Sequence, residues 1–236
     1  LQVRIGCASR AAPGKLNEDF YGIGRSAGRP EQGLVLGVAD GISSSGAGRA
    51  AAEMSLRTLL QDYYGTPPHW STSVALDRLL AAANDWLDAD NRRRPETGGA
   101  VAALSVVVLR ANHYYLAHVG DTRVYRLRGT VLKQLTIDHT WPRRDMRHVL
   151  KRAVGLDSHL VVDFADGEVR ADDTFLLVSD GVWDVLGDRE LRATLLEEGS
   201  AQASAARLVE QAIAQQASYM GRNDATAMVV TVEGMP

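Results

Sequence analysis

Apolar positions along the chain follow two periods, and the order in which the periods appear predicts an architecture. Short runs rich in Val, Leu and Tyr, bounded by Gly, Asp and Asn, predict strands over residues 3–8, 34–39, 101–109, 114–119, 124–127, 160–164, 174–178 and 227–232. Residues 113–135 read as a meander that turns at Gly120-Asp121 and at Gly129. After the second strand the period becomes helical. Ala51, Met54, Leu56, Leu59 and Leu60 predict a helix over 47–64. Val74, Leu76, Leu79, Leu80, Ala83 and Leu87 predict another over 74–87, behind a capping cluster at Ser71-Thr72-Ser73. Alanine-rich segments with caps at Asp188 and Ser200 predict helices over 189–198 and 201–216.

Strands and helices thus come in runs rather than in strict alternation, which implies an α+β layered fold with antiparallel sheets. Pro67-Pro68 and Arg94-Pro95 mark loops around the second helix. With no repeat and no low-complexity linker, residues 1–236 read as a single domain.

Composition narrows the function classes. The chain has 236 residues, 45% hydrophobic and 23% charged, enough for one well-buried core. A net charge of −3 with scattered arginines leaves no footprint for nucleic acid, and Arg92-Arg93-Arg94 reads as a solvated helix end. No apolar run reaches the length of a membrane span. Cys7 is the single cysteine, so a disulfide within the chain is impossible and a reducing, cytoplasmic setting is expected. Any bound metal must then use oxygen or imidazole ligands. The chain begins at Leu1 rather than Met, as a fragment of a longer polypeptide would.

Carboxylates recur at strand ends. The run 34–39 leads into Asp40-Gly41, and 174–179 leads into Asp180-Gly181; Gly120-Asp121 reverses the order, and Asn17-Glu18-Asp19 precedes Phe20-Tyr21-Gly22. A strand ending in Asp delivers a rigidly held carboxylate to a sheet rim, and the Gly lets the chain turn sharply. Several such carboxylates converging would repel one another unless a hard cation sat between them. Asp-Gly also simply makes turns. The pattern by itself leaves turn and metal site both open.

At these residues the chain resembles the metal-dependent serine/threonine phosphatases of type 2C. The resemblance is carried in order by Asn17-Glu18-Asp19, Val38-Ala39-Asp40-Gly41, His118-Val119-Gly120-Asp121-Thr122-Arg123, Leu135-Thr136-Ile137-Asp138-His139, Ser179-Asp180-Gly181-Val182-Trp183-Asp184 and Asn223-Asp224-Ala225-Thr226. Asp62-Tyr63-Tyr64 and Val162-Asp163-Phe164-Ala165-Asp166-Gly167 are similar to bacterial members fused to a serine/threonine kinase domain. The resemblance implies a four-layer α-β-β-α sandwich of two antiparallel sheets flanked by helices. It implies two Mn²⁺ or Mg²⁺ ions bridged by Asp40, with the Gly41 carbonyl and Asp180 as further ligands. Glu18 and Asp19 would act directly or through water, and Asp121 would help hold a third, weaker ion. A metal-bridging water or hydroxide would attack phosphorus in line, without a phosphoenzyme. The substrates implied are phosphoserine and phosphothreonine proteins, and the partner a serine/threonine kinase, on the same or a separate polypeptide, or its substrates.

Four departures from the family pattern bear on that picture. Asn223-Asp224 stands where the family has Asp-Asn, which leaves two ligand candidates, the neutral Asn223 and a shifted Asp224. Gly14 occupies the place of a phosphate-binding Arg, with Lys15 or Arg10 as substitutes. Asp40-Gly41 is followed by Ile42-Ser43-Ser44-Ser45 rather than a glycine turn, with no His behind it. The segment between His139 and Arg152 is short for the family's flap, with Trp141 and Arg143-Arg144 as its candidate contacts. Two other readings therefore accompany the enzyme: an inactive relative serving as a binding module, and a phosphatase of a small molecule or one dedicated regulator. His118, His139 and Trp183 read as structural, and Cys7 as a small buried hydrophobe.

Overall fold

The computed structural model describes all of the chain except residues 95–98, 144, 145, 147, 217–221 and 236, so Pro95 and Arg144 lie outside the described residues. One five-stranded sheet contains β1 (Gln2–Arg10), β6 (Arg123–Arg128), β7 (Val131–Gln134), β9 (Thr174–Val178) and β10 (Ala225–Gly234), in the order β1-β10-β9-β6-β7. The other contains β2 (Asp19–Gly24), β3 (Leu34–Ser43), β4 (Ala100–Arg110), β5 (His113–Val119) and β8 (Asp163–Glu168), in the order β2-β3-β4-β5-β8. Every pairing is antiparallel.

Three apolar clusters separate four layers. Leu36, Val38, Val107, Phe175, Leu177 and Val230 fill the space between the sheets. Helices α1 (Gly48–Asp62) and α2 (Thr72–Arg93) cover the outer face of the β3 sheet, through Leu56, Leu59, Leu76 and Leu80. The short α3 (Asp180–Trp183), with α4 (Asp188–Leu196) and α5 (Ala201–Gln216), covers the outer face of the other sheet through Val182, Leu191, Ala205 and Leu208. The architecture is the expected α-β-β-α sandwich. Ser71 caps α2, its Oγ accepting from the Val74 N–H at 3.2 Å.

Several expectations need correction. β2 was not anticipated, because Gly22 and Gly24 dilute its strand propensity and it lies at a sheet edge. β3 does not end at Ala39; it pairs with β4 from Leu34↔Leu109 through Ser43↔Ala100, with Asp40 and Gly41 inside the ladder. The segment 113–135 is not one meander, because Gly120-Asp121 carries the chain from β5 in one sheet to β6 in the other. Only the β6–β7 hairpin at Gly129 remains of it. β8 sits at 163–168 rather than 160–164, an edge strand whose acidic residues suit a position beside solvent. Gly187, not Asp188, caps α4, with Glu190 Oε2 accepting from the Gly187 N–H at 3.1 Å. Cys7 is half-buried, its backbone N–H and carbonyl both engaged by the Gln202 amide.

Candidate active site

Strand register brings the first two carboxylates together. Asp19 on β2 stands directly opposite Asp40 on β3. Like charges in that arrangement destabilise a sheet unless something neutralises them. Asp180 approaches from the other sheet, as the first residue of α3 immediately after β9 and Ser179. Both glycines behind these aspartates allow close approach rather than a turn. A Cβ on Gly41 would fall 2.0 Å from the Gly48 carbonyl oxygen, and one on Gly181 would fall 2.0 Å from that of Asp224.

Asp19 is buried, with Oδ2 accepting from Ser179 Oγ at 2.7 Å and Oδ1 without a partner. Asp121 is likewise buried with an unpartnered Oδ1. Its loop is fixed on two sides. The Trp183 indole N–H donates to the Asp121 carbonyl at 2.8 Å. His139 grips Gly120, its backbone N–H donating to the Gly120 carbonyl at 2.7 Å while Nδ1 accepts from the Gly120 N–H at 3.1 Å. His139 Nε2 then donates to Asp163 Oδ2 at 3.0 Å. Trp183 is half-buried, packed against the cluster under α3–α5 and stacked under the Arg123 guanidinium.

An open cavity of about 300 Å³ lies over this group, lined by Lys15, Glu18, Asp40, Gly41, Asp180, Asn223 and Asp224 among others. Asp19, Asp121 and Arg10 are not among the residues lining it. Glu18 Oε1 accepts from the Gly48 N–H at 2.8 Å and from Ser43 Oγ at 3.2 Å. Lys15 Nζ donates to the Arg222 carbonyl at 3.1 Å. Asn223 and Asp224 do different jobs. The Asn223 side-chain amide donates to Asp180 Oδ2 at 2.8 Å, whereas both Asp224 oxygens accept backbone N–H groups, from Ala12 at 2.7 Å and Glu18 at 2.6 Å.

Burial pushes the pKa of Asp40 well above the usual carboxylate range, and Asp19, Asp180 and Asp121 push it further. Burial likewise raises Asp19, against the Ser179 hydrogen bond, and raises Asp180. Asp121 is pushed up to about 8, by burial first and then by Asp180 and Asp138. Among the described residues, no group of three His, Cys, Asp or Glu side chains is arranged to hold a metal ion. The Asn223 amide takes up part of the repulsion that a cation would relieve.

Sequence reading missed three contributors. His148 lines the cavity from the short segment before Arg152, where no pattern singled it out. Ser179, in sequence only the first residue of Ser-Asp-Gly, orients Asp19. Gln216, at the end of α5, donates to the Gly181 carbonyl at 2.7 Å and accepts from the Asn223 N–H at 2.9 Å.

This arrangement of sheets and acids has known counterparts. Residues 7–217 match the family described as protein phosphatase 2C, and the chain belongs to that family. It is 26% identical over 233 residues to the serine/threonine phosphatase stp of Listeria monocytogenes serotype 4b (strain F2365), covering 91% of this chain and 89% of that one. Among solved structures it resembles PppA, described as a key regulatory component of T6SS in Pseudomonas aeruginosa, with a TM-score of 0.80 and 29% identity over 97% of each chain. The catalytic domain of the serine/threonine protein phosphatase PstP in complex with two manganese ions superposes with a TM-score of 0.80 and 26% identity, covering 98% of this chain and 99% of that one.

Proposed function

We propose that the chain is a Mn²⁺- or Mg²⁺-dependent protein serine/threonine phosphatase, acting as a single catalytic domain over residues 1–236. The observation that carries this reading is the pair of orphaned buried oxygens, Asp19 Oδ1 and Asp121 Oδ1, around Asp40 and Asp180. Buried acceptors without donors are rare in folded proteins. A hard divalent cation satisfies them and relieves the carboxylate repulsion using oxygen ligands alone.

Asp40, the Gly41 carbonyl and Asp180 would hold two ions, Glu18 and Asp19 would support them directly or through water, and Asp121 would favour a weaker third. Two manganese ions in the PstP catalytic domain support that number. When bound, the ions supply an acidified water and positive charge for the phosphoryl oxygens. The rest is done by the chain. Lys15, which lines the cavity, would meet the incoming phosphate, with Arg10 outside the lining. Asn223 would be the remaining ligand, at the position where its amide already meets Asp180, while Asp224 ties residues 12 and 18 to the site. The phosphoester it removes is made by a serine/threonine kinase, on the same or a separate polypeptide, and the single thiol suits a reducing cytoplasm. No helix among the described residues is long and apolar enough to cross a membrane.

Hydrolysis of p-nitrophenyl phosphate and a phosphothreonine peptide, with and without Mn²⁺, tests the reading. Turnover should require the metal and fall on the order of a thousandfold in Asp40→Ala or Asp180→Ala. No turnover and no Mn²⁺ uptake at millimolar metal would leave the second reading, a binding module, which the Asn223–Asp180 hydrogen bond favours. Asn223→Asp should tighten Mn²⁺ binding about tenfold, since ligand charge sets affinity at such sites.

A further inference from the structure

A second cavity, of about 500 Å³, opens beside the first. The two share Ile42 and Ser43 as lining residues, so they adjoin. Ile42 lies two residues beyond Asp40 on β3, and period-two geometry puts both side chains on the same face of the sheet. The floor is apolar. Ile42 pairs with Val101 on β4, and Leu156 closes the far side; Ile42 and Leu156 are each 41% exposed. At the rim, Arg92 and Asp88 pair at 2.8 Å, so the charges of the described lining residues cancel.

The walls are built in advance. Asn84 Oδ1 accepts from the Gly155 N–H at 2.8 Å, and its Nδ2 donates to the Asp157 carbonyl at 2.9 Å. Asn91 Nδ2 donates to the Ala100 carbonyl at 2.8 Å and to that of Gly155 at 3.1 Å, while its Oδ1 accepts from the Ala100 N–H at 2.9 Å. Ala102 and Val154 exchange backbone hydrogen bonds at 3.0 and 2.9 Å. Two side-chain amides and a β-bridge thus hold the 153–157 turn against α2 and β4. Apolar surface held rigidly open binds a matching side chain at little ordering cost.

We propose that this groove is a specificity subsite for the phosphoprotein, taking a medium-sized apolar side chain (Leu, Ile or Met) within a few residues of the phosphorylated Ser or Thr. The inference rests on the phosphatase reading of the adjoining cavity. An extended peptide advances about 3.3 Å per residue with alternate side chains on one face, so a phosphoresidue over Asp40 and an apolar residue two positions away both face the adjoining cavities. Burying that side chain against Ile42, Val101 and Leu156 favours it over a polar one by a factor of about ten or more. Charged side chains gain nothing from the paired rim.

The test uses phosphothreonine peptides carrying Leu, Ser or Asp at each of the two positions on either side of the phosphoresidue. Their kcat/KM is compared with p-nitrophenyl phosphate turnover by the same preparation. At one of those positions Leu should exceed Ser and Asp about tenfold, and Leu156→Ser should bring the Leu-to-Ser ratio near one while Leu156→Met keeps it. Equal use of all three peptides, or a ratio untouched by Leu156→Ser, overturns the subsite. If p-nitrophenyl phosphate itself is not hydrolysed, the phosphatase reading fails. The groove is then judged by fluorescence anisotropy of the same peptides, where equal affinity for Leu and Ser forms overturns it.

Discussion

His118 shows how much of the site rests on groups that never meet a ligand. It is buried, its Nε2 at 3.1 Å from the Ile137 carbonyl, which requires a proton on that nitrogen, and its Nδ1 at 2.9 Å accepts from Ser105 Oγ. Both nitrogens are thus satisfied in the neutral ring. Burial and the neighbouring His139 lower its pKa to about 4, with Asp138 and Asp163 opposing. A folded-state pKa below the unfolded value near 6.5 means that the unfolded chain takes up the proton first as pH falls. The neutral ring's contribution is therefore complete above pH 6.5 and is lost between 6.5 and 4, by about 3 kcal/mol. The buried acids have raised pKa values and act in the opposite sense, favouring the metal-free fold as pH falls. The clean measurement is a difference: chemical denaturation of the parent and of His118→Asn between pH 7 and 4.5, in which the variant's stability should fall less steeply. That His118 is structural was legible from its place in a strand before Gly120. That it packs 4.8 Å from His139, as part of the support for the Asp121 loop, was not, because the contact joins residues brought together only by the crossing between sheets.

At the scale of elements, β3 decides the geometry. Its apolar run was visible in sequence, and so was the acid at its end, but Gly41 was read as a turn residue and is a ladder residue. The signal for the ladder lies in β4, which keeps pairing through Gly41↔Ala102, and a single-strand pattern does not contain its partner. Gly41 is needed because the start of α1 passes so close. Gly41→Ala should cost about 1–3 kcal/mol as an overpacked contact, because the atom in the way is backbone and cannot rotate aside. The same substitution should weaken Mn²⁺ binding, measured by isothermal titration, since Glu18 and Gly48 must shift together. Long strands and helices were read well where their periods were strong. β2 and β8 were missed or displaced because an edge strand needs only half the apolar pattern of a central one.

For the whole molecule, the site belongs to no local stretch of chain. Its acids come from residues 18–19, 40, 121 and 180, and the sheet that holds Asp180 is completed by pairing β1 with β10, from Gln2↔Gly234 to Arg10↔Ala225. Motif order along the sequence revealed this assembly only through likeness to a family, since spacing says nothing about which distant segments meet. The β1–β10 ladder has a kinetic consequence. A chain leaving the ribosome has made Asp19, Asp40 and Asp121 long before Asn223 and Asp224 exist, and without Asp224 the Ala12 and Glu18 N–H groups lack the carboxylate that joins them. Native pairings of such high contact order are slow to form, so refolding from denaturant should run in milliseconds to seconds. Recovered phosphatase activity should trail the burst of helical circular dichroism, and the nascent enzyme should stay silent until its last strand docks.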